Sequence, residues 1–282
     1  QKELIKASSS DPQLPVRQTK LAEIVFDHAI PMSGNGTLIF YEFGIVSQEQ
    51  RQTVEENIPA AYVQLFEAHL RLQNLLQTLP QQPNYQLEYV ATGLATMIFD
   101  DYGSRITPYY HALASYYMTL LSDDHPYYKS LGTGGTALAQ VQGRTPTEER
   151  QRLAQEAINF LGTLPRDVPA EAKARLDALR GRALSIRGDQ TQALQVLADA
   201  IRDGRGGEVE LLARLGELRA LARSNQSARI ESQSRALLSM PLLREPPTGL
   251  LYRIVAVDLL HRLRLDAKDP NPYQPYADLF RD

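Results

Sequence analysis

Residues 174–203 read ARLDALRGRALSIRGDQTQALQVLADAIRD, and the rest of the chain is organised outward from them. Leu179, Ala183, Leu184 and Ile186 give an apolar face before Gly188. Ala193, Leu194, Leu197, Ala198 and Ile201 give a second one after it. Gly188 stands where a left-handed closing residue costs least, and Asp189 is placed to cap the second helix. The spacing predicts a helical hairpin. Gly181, Leu184, Gly188, Ala193, Leu197 and Ala200 are small or apolar where such a hairpin needs them, and the small ones let its two helices approach closely.

In this order of residues the stretch resembles one tetratricopeptide repeat. The family places a small residue eighth, an aromatic or aliphatic one eleventh, glycine fifteenth, and alanine twentieth and twenty-seventh. Gly181, Leu184, Gly188, Ala193 and Ala200 fill those places. Asp177 and Arg180 depart from the usual apolar choices, and no proline closes the unit. A weaker second copy begins near Val209, with Leu215, Gly216 and Ala228 in step; Arg219, Arg223 and Ser232 break it. The resemblance implies stacked hairpins with a concave surface for peptides or partner helices, but it supplies no ligand-holding residues. One hairpin cannot bury its own face, so neighbours must stack on it. An ordinary helical bundle meets the same need.

Composition sets the outer limits. The 282 residues suffice for one large domain or two ordinary ones. Hydrophobic residues at 43% and charged ones at 22% are ordinary for a globular chain. A net charge of −3 offers no general attraction to nucleic acid or acidic lipid. With no cysteine, disulfides, zinc–thiolate sites and thiol nucleophiles are excluded. No apolar run approaches the roughly 20 residues that span a bilayer. The chain starts at Gln1, and residues 7–19 are polar and proline-bearing. Residues 1–19 therefore read as a flexible tether, of the kind that follows a removed leader or a membrane anchor. That leans towards an exported or envelope protein, with a cytoplasmic one as the alternative.

The two halves differ. Up to Gln142 the balance of basic and acidic residues is −6, and from Gly143 onward it is +3. Of 14 tyrosines, 11 precede residue 143. The change falls around Gly132-Thr-Gly-Gly-Thr136, so a tyrosine-rich helical region over 20–142 and a hairpin region over 143–282 are expected. One continuous solenoid of uneven composition is the alternative.

Most segments read as helices. Val16–Ala29 carries Leu21, Ile24, Val25 and His28 on one face. Thr37–Val46, TLIFYEFGIV, has the aromatic and β-branched content of a strand. It finds no partner run, so a buried helix or extended insert stays open. Ser47 caps a polar helix to about Asn57, and Pro59 opens a second with Tyr62, Leu65, Phe66, His69, Leu72, Leu76 and Leu79 in its stripe. A helix over about Leu87–Tyr102 and a turn at Gly103-Ser-Arg precede Thr107-Pro108, which starts a helix in cap-then-proline order. That helix carries Tyr110, Leu113, Ala114, Tyr117 and Leu121 on one face. Thr145-Pro-Thr-Glu148 is a capping box; its helix turns Leu153, Ala154, Ala157, Phe160, Leu161 and Leu164 to the core. Further helices follow over about 207–223, 226–239 and 248–264.

Chemistry is sparse. The histidines 28, 69, 111, 125 and 261 form no HxxxH pair and no HExxH helix, and His69 reads as a packed residue. The cluster Asp100-Asp101-Tyr102, Tyr109-Tyr110-His111 and Asp123-Asp124-His125 would suit a divalent cation if its turns met in space; paired aspartates at helix ends also serve merely as caps. Gly132–Thr136 lacks the Walker ending. No nucleophile elbow or kinase signature appears. Tyr109 and Tyr116 repeat at seven residues on the edge of their helix, where they suit a binding groove; filling the core is the alternative.

The sequence thus reads as all-α: a tyrosine-rich helical half followed by a short tetratricopeptide-like array. A non-catalytic interaction or assembly subunit is expected, with no cofactor, metal or catalytic residue, and Tyr109 and Tyr116 at the partner surface. The partner is another protein or peptide, self included, and not nucleic acid. A small-molecule or metal-dependent activity around residues 100–128, or a self-assembling envelope or particle protein, are the alternatives.

Overall fold

The computed structural model describes residues 13–33, 37–78, 98, 100–132, 144–165, 167–244 and 248–279. Among them are twelve α-helices and no strand. These are α1 (Leu14–Ile24), α2 (Thr37–Glu42), α3 (Gln48–Thr78), α4 (Thr107–Met118), α5 (Pro126–Lys129) and α6 (Pro146–Thr163). The chain continues through α7 (Ala170–Arg187), α8 (Gln190–Asp203), α9 (Glu208–Arg223), α10 (Ser227–Leu238), α11 (Thr248–Asp266) and α12 (Gln274–Leu279). The Leu87–Tyr102 helix, apart from its last residues, and the Gly-rich segment after Gly132 lie outside the described residues, as do residues 1–12 of the expected tether. Residues 14–19 are helical, and Leu14, Pro15, Gln18 and Thr19 are buried.

The helices sort into two compact units: residues up to 34 with 48–166, and residues 35–47 with 167–282. Composition shifts at 142/143, but the helix opened by the Thr145 capping box belongs to the first unit.

In the first unit α3 packs on α1 and α4, and α4 packs on α6. Two expected breaks are absent. Pro59 lies inside the single long helix α3, and Gly103-Ser-Arg lies in a π-helical turn, Tyr102–Ile106, that runs directly into α4. Thr107 is therefore not a cap; its hydroxyl meets that of Thr19 at 2.8 Å in the buried contact between α1 and α4. The Thr145 box is formed as expected, with Glu148 reaching back to the Thr145 backbone at 2.8 Å. Arg150 donates to the carbonyls of Thr119 (3.0 Å) and Leu121 (2.8 Å), satisfying acceptors at the end of α4.

In the second unit α7 and α8 form the expected hairpin, and α9 packs on both. Gly188 closes α7 at φ +110°, and a Cβ on Gly181 would stand 2.5 Å from Leu197 Cγ. Close approach at Gly181 is what lets α8 seat on α7. Asp189 does not cap α8 with its side chain; it pairs with Arg187 instead.

The TLIFYEFGIV stretch resolves into α2 and a turn at Gly44, φ +73°. Ile39, Phe40 and Phe43 join Leu211, Leu215 and Leu218 of α9, Leu237 of α10 and Tyr252, Val255 and Leu259 of α11 in one core. A short aromatic helix enclosed on several sides needs no alternation of polar and apolar residues, which is why its composition resembles a strand. Glu42, at its end, has a fully buried side chain and accepts from Arg182 (2.6 Å) and Arg219 (2.8 Å). The Arg219 guanidinium also lies 4.1 Å from the centre of the Phe43 ring. The arginine that breaks the second repeat copy is thus the partner of a glutamate 177 residues away.

Candidate functional site

The first unit places an aromatic and charged cluster where α3, α4 and α6 meet. Residues 62, 66, 69 and 73 share one face of α3 at helical spacing, and 149, 152, 156 and 160 share one face of α6. His111 of α4 is fully buried and stacks on Phe160 with ring centres 4.1 Å apart. His69 meets the same Phe160 edge-on at 4.8 Å, and Tyr62 meets His111 edge-on at 5.4 Å.

A chain of charges runs beside these rings. The Glu149 side chain, fully buried, accepts from Arg152 (2.6 Å), Tyr127 (2.6 Å) and Arg144 (3.1 Å). Arg152 also binds Glu156, and the Tyr62 hydroxyl donates to Glu156 at 3.1 Å. His111 Nε2 stands 2.9 Å from Glu156 Oε1, and its Nδ1 has no hydrogen-bond partner among the described residues. Burial pushes the Glu149 carboxyl up, but hydrogen bonds from Arg152 and Tyr127 outweigh it and hold the group below the usual range. For Glu156 burial is likewise outweighed, by His111 and Arg152. Burial, and then the neighbouring His111, lower the His69 ring. Arginine or tyrosine engages both carboxylates, so the network braces four helices, α3 to α6.

Beside this brace a cavity of about 460 Å³ opens between Phe66, His69 and Gln73 on one side and Pro108, Phe160 and Thr163 on the other. Next to it α3 exposes Val63 (43%), Phe66 (36%) and Leu70 (51%) at spacings of three and four, one stripe on the side away from buried Leu65 and Leu72.

The residues singled out from sequence fall differently. Tyr116 is not at an edge: it is 1% exposed. Nine of the twelve residues of α4 are buried, because α1, α3 and α6 all pack on it and leave it little edge. Tyr109 is half-buried against Tyr110, ring centres 5.1 Å apart, and the Tyr110 hydroxyl donates to Asp27 at 2.5 Å. The acidic cluster stays dispersed. Asp123 pairs with Arg150 and Asp124 with Lys129, and Asp101 faces Arg105 at 3.7 Å. Among the described residues no three histidine or carboxylate groups converge as metal ligands. His111, named from sequence only as part of a possible cation cluster, belongs to this network instead, and Glu149, Arg152 and Glu156 were missed. Their available signal was charge at core-facing positions of α6, in step with Leu153, Ala157 and Phe160. No described helix is long and apolar enough to cross a membrane.

Compared with protein-family models, curated proteins and solved structures, the chain matches none.

Proposed function

We propose that the protein is a non-catalytic interaction subunit, and that the exposed face of α3 receives an amphipathic helix of a partner protein. The observation that carries this reading is the stripe Val63–Phe66–Leu70, with the cavity beside Phe66. An isolated exposed leucine means little, but apolar residues at helical spacing beside a recess form a contiguous patch. A helix binding there would anchor residues at matching three- and four-residue intervals. The brace behind the patch supports it, since fixed anchors lower the ordering cost of association. The tetratricopeptide-like order of residues 174–203 supports the same class of function.

The test places a photo-crosslinking residue at Val63 and compares the chain with a Leu70→Asp variant. The reading expects one protein cross-linked through position 63 and lost in the variant, with helicity unchanged. If that protein is a second copy of the chain, sedimentation velocity will show a concentration-dependent dimer, and the subunit is an assembly one. A monomeric chain that cross-links nothing overturns the reading.

A further inference from the structure

The exposed face of α3 carries charge as well as carbon. With Val63 as its centre, Leu70 lies about 20° to one side round the helix, and Glu56 and Glu67 lie about 20° and 40° to the other. Both glutamates are exposed. They stand eleven residues apart in one helix, which is about three turns, or about 16 Å along the axis. The other exposed residues of the face, Gln52, Ala60, Asn74 and Gln77, are uncharged. Glu49 continues the line in the first turn of α3, where the helix N-terminus balances it.

Each of the two inner carboxylates is held by a glutamine amide. Gln52 Nε2 donates to Glu56 Oε1 at 2.7 Å, and Gln18 Nε2 donates to Glu67 Oε2 at 2.9 Å. Among the described residues no lysine, arginine or histidine stands within 4 Å of either one, Arg71 included. An amide orients a carboxylate but leaves its charge in place. Acids off this face are treated differently: Glu55 faces Arg51 at 3.8 Å, and Glu23 of α1 faces Lys20 at 2.8 Å. The partner face is thus an apolar stripe flanked on one side by two carboxylates without a counter-charge.

A helix laid on Val63 and Leu70 also displaces water from Glu56 and Glu67. A neutral or acidic helix takes that water and returns nothing, which costs binding energy. A helix with cations on the matching flank replaces the water with ion pairs. We infer that the partner helix is basic, with apolar anchors over Val63, Phe66 and Leu70 and lysine or arginine where it meets Glu56 and Glu67. This rests on the reading of α3 as the partner face and gives that partner its chemistry. Ion pairs at the rim add modestly to affinity and more to the choice and orientation of the partner. The same two carboxylates turn acidic helices away.

The experiment uses the full chain and three fluorescein-labelled peptides of about 20 residues, long enough to hold a helix. They share one leucine stripe and carry lysine, glutamine or glutamate at the flanking positions. Fluorescence anisotropy at about 20 mM salt should rank the lysine peptide first, about fivefold tighter than the glutamine one, with the glutamate one last; the gaps should narrow at about 500 mM salt. Glu56→Gln with Glu67→Gln should remove the ranking, and Glu56→Lys with Glu67→Lys should reverse it, with helical circular dichroism retained in both. Leu70→Asp should weaken all three peptides. Equal binding of the three, lost together in Leu70→Asp, would leave the partner face standing and overturn its basic partner. A lysine preference that persists in both glutamate variants would place the peptide elsewhere and overturn it too. No binding of any peptide would overturn the basic partner and the face together.

Discussion

His125 Nε2 lies 3.2 Å from the carbonyl oxygen of Glu55, the carbonyl that Pro59 leaves without its intrahelical donor. Proline has no N–H to give to the residue four before it, so an interior proline normally breaks a helix. The Tyr127 amide donates to His125 Nδ1 at 3.1 Å, which makes Nδ1 the acceptor and leaves the proton on Nε2. The imidazole thus caps α5 with one nitrogen and repairs α3 with the other.

Replacing His125 with alanine therefore removes two contacts and should cost about 1–3 kcal/mol. In a Pro59→Ala background, where residue 59 recovers its N–H, the same change should cost measurably less. Urea unfolding of the two single variants and the double variant, compared in a cycle, checks this. Additive costs would mean the Glu55 carbonyl gains nothing from the histidine.

Glu42 sits between Arg182 and Arg219 with its side chain fully buried. Glu42→Ala leaves two guanidiniums without their counter-charge and should destabilise the second unit by about 3–5 kcal/mol. Replacing all three residues by apolar ones of similar size should recover most of that loss. Thermal unfolding followed by circular dichroism would show the single change lowering the midpoint far more than the triple change.

Gly181→Ala would place a methyl group 2.5 Å from Leu197 Cγ. The expected cost is about 1–3 kcal/mol, from overpacking between α7 and α8. Leu197→Ala in the same chain should relieve part of it, giving a favourable coupling in a double-mutant cycle. At Gly188 the space is open and only the positive φ is at stake, so alanine there should cost about 1 kcal/mol.

Acid should weaken the first unit in two stages. The folded His69 ring titrates below its ordinary 6.5, so between those values the unfolded chain holds the extra proton. Stability is therefore lost as pH falls below about 6.5 and levels off once the folded ring is also protonated. Glu149 and Glu156 are held below their ordinary 4.5. Their contribution is present above that value and is lost as pH falls through the folded values. Urea midpoints measured from about pH 7.5 to about pH 4 should decline, and His69→Phe should flatten the upper part of the curve only. An unchanged curve in that variant would exclude His69 as the source.

The sequence by itself determined what depends on neighbours along the chain. Helical periodicity, the Thr145–Glu148 box, the closing glycine at 188 and the small residue at 181 are read from spacings of three to fifteen residues, and the structure places each as expected. They are legible because hydrogen bonds within a helix and contacts within a hairpin join residues close in sequence. Tertiary structure decided what depends on distant partners. It made the first six residues of TLIFYEFGIV a helix inside the second unit's core, because Leu211, Leu215 and Tyr252 enclose it. It kept α3 continuous through Pro59, because His125 supplies the missing donor. It buried Tyr116, because three helices pack on α4. And it gave Arg219 and Glu42 their meaning, since a charge is costly or useful according to the counter-charge that meets it, and that partner lies far along the chain.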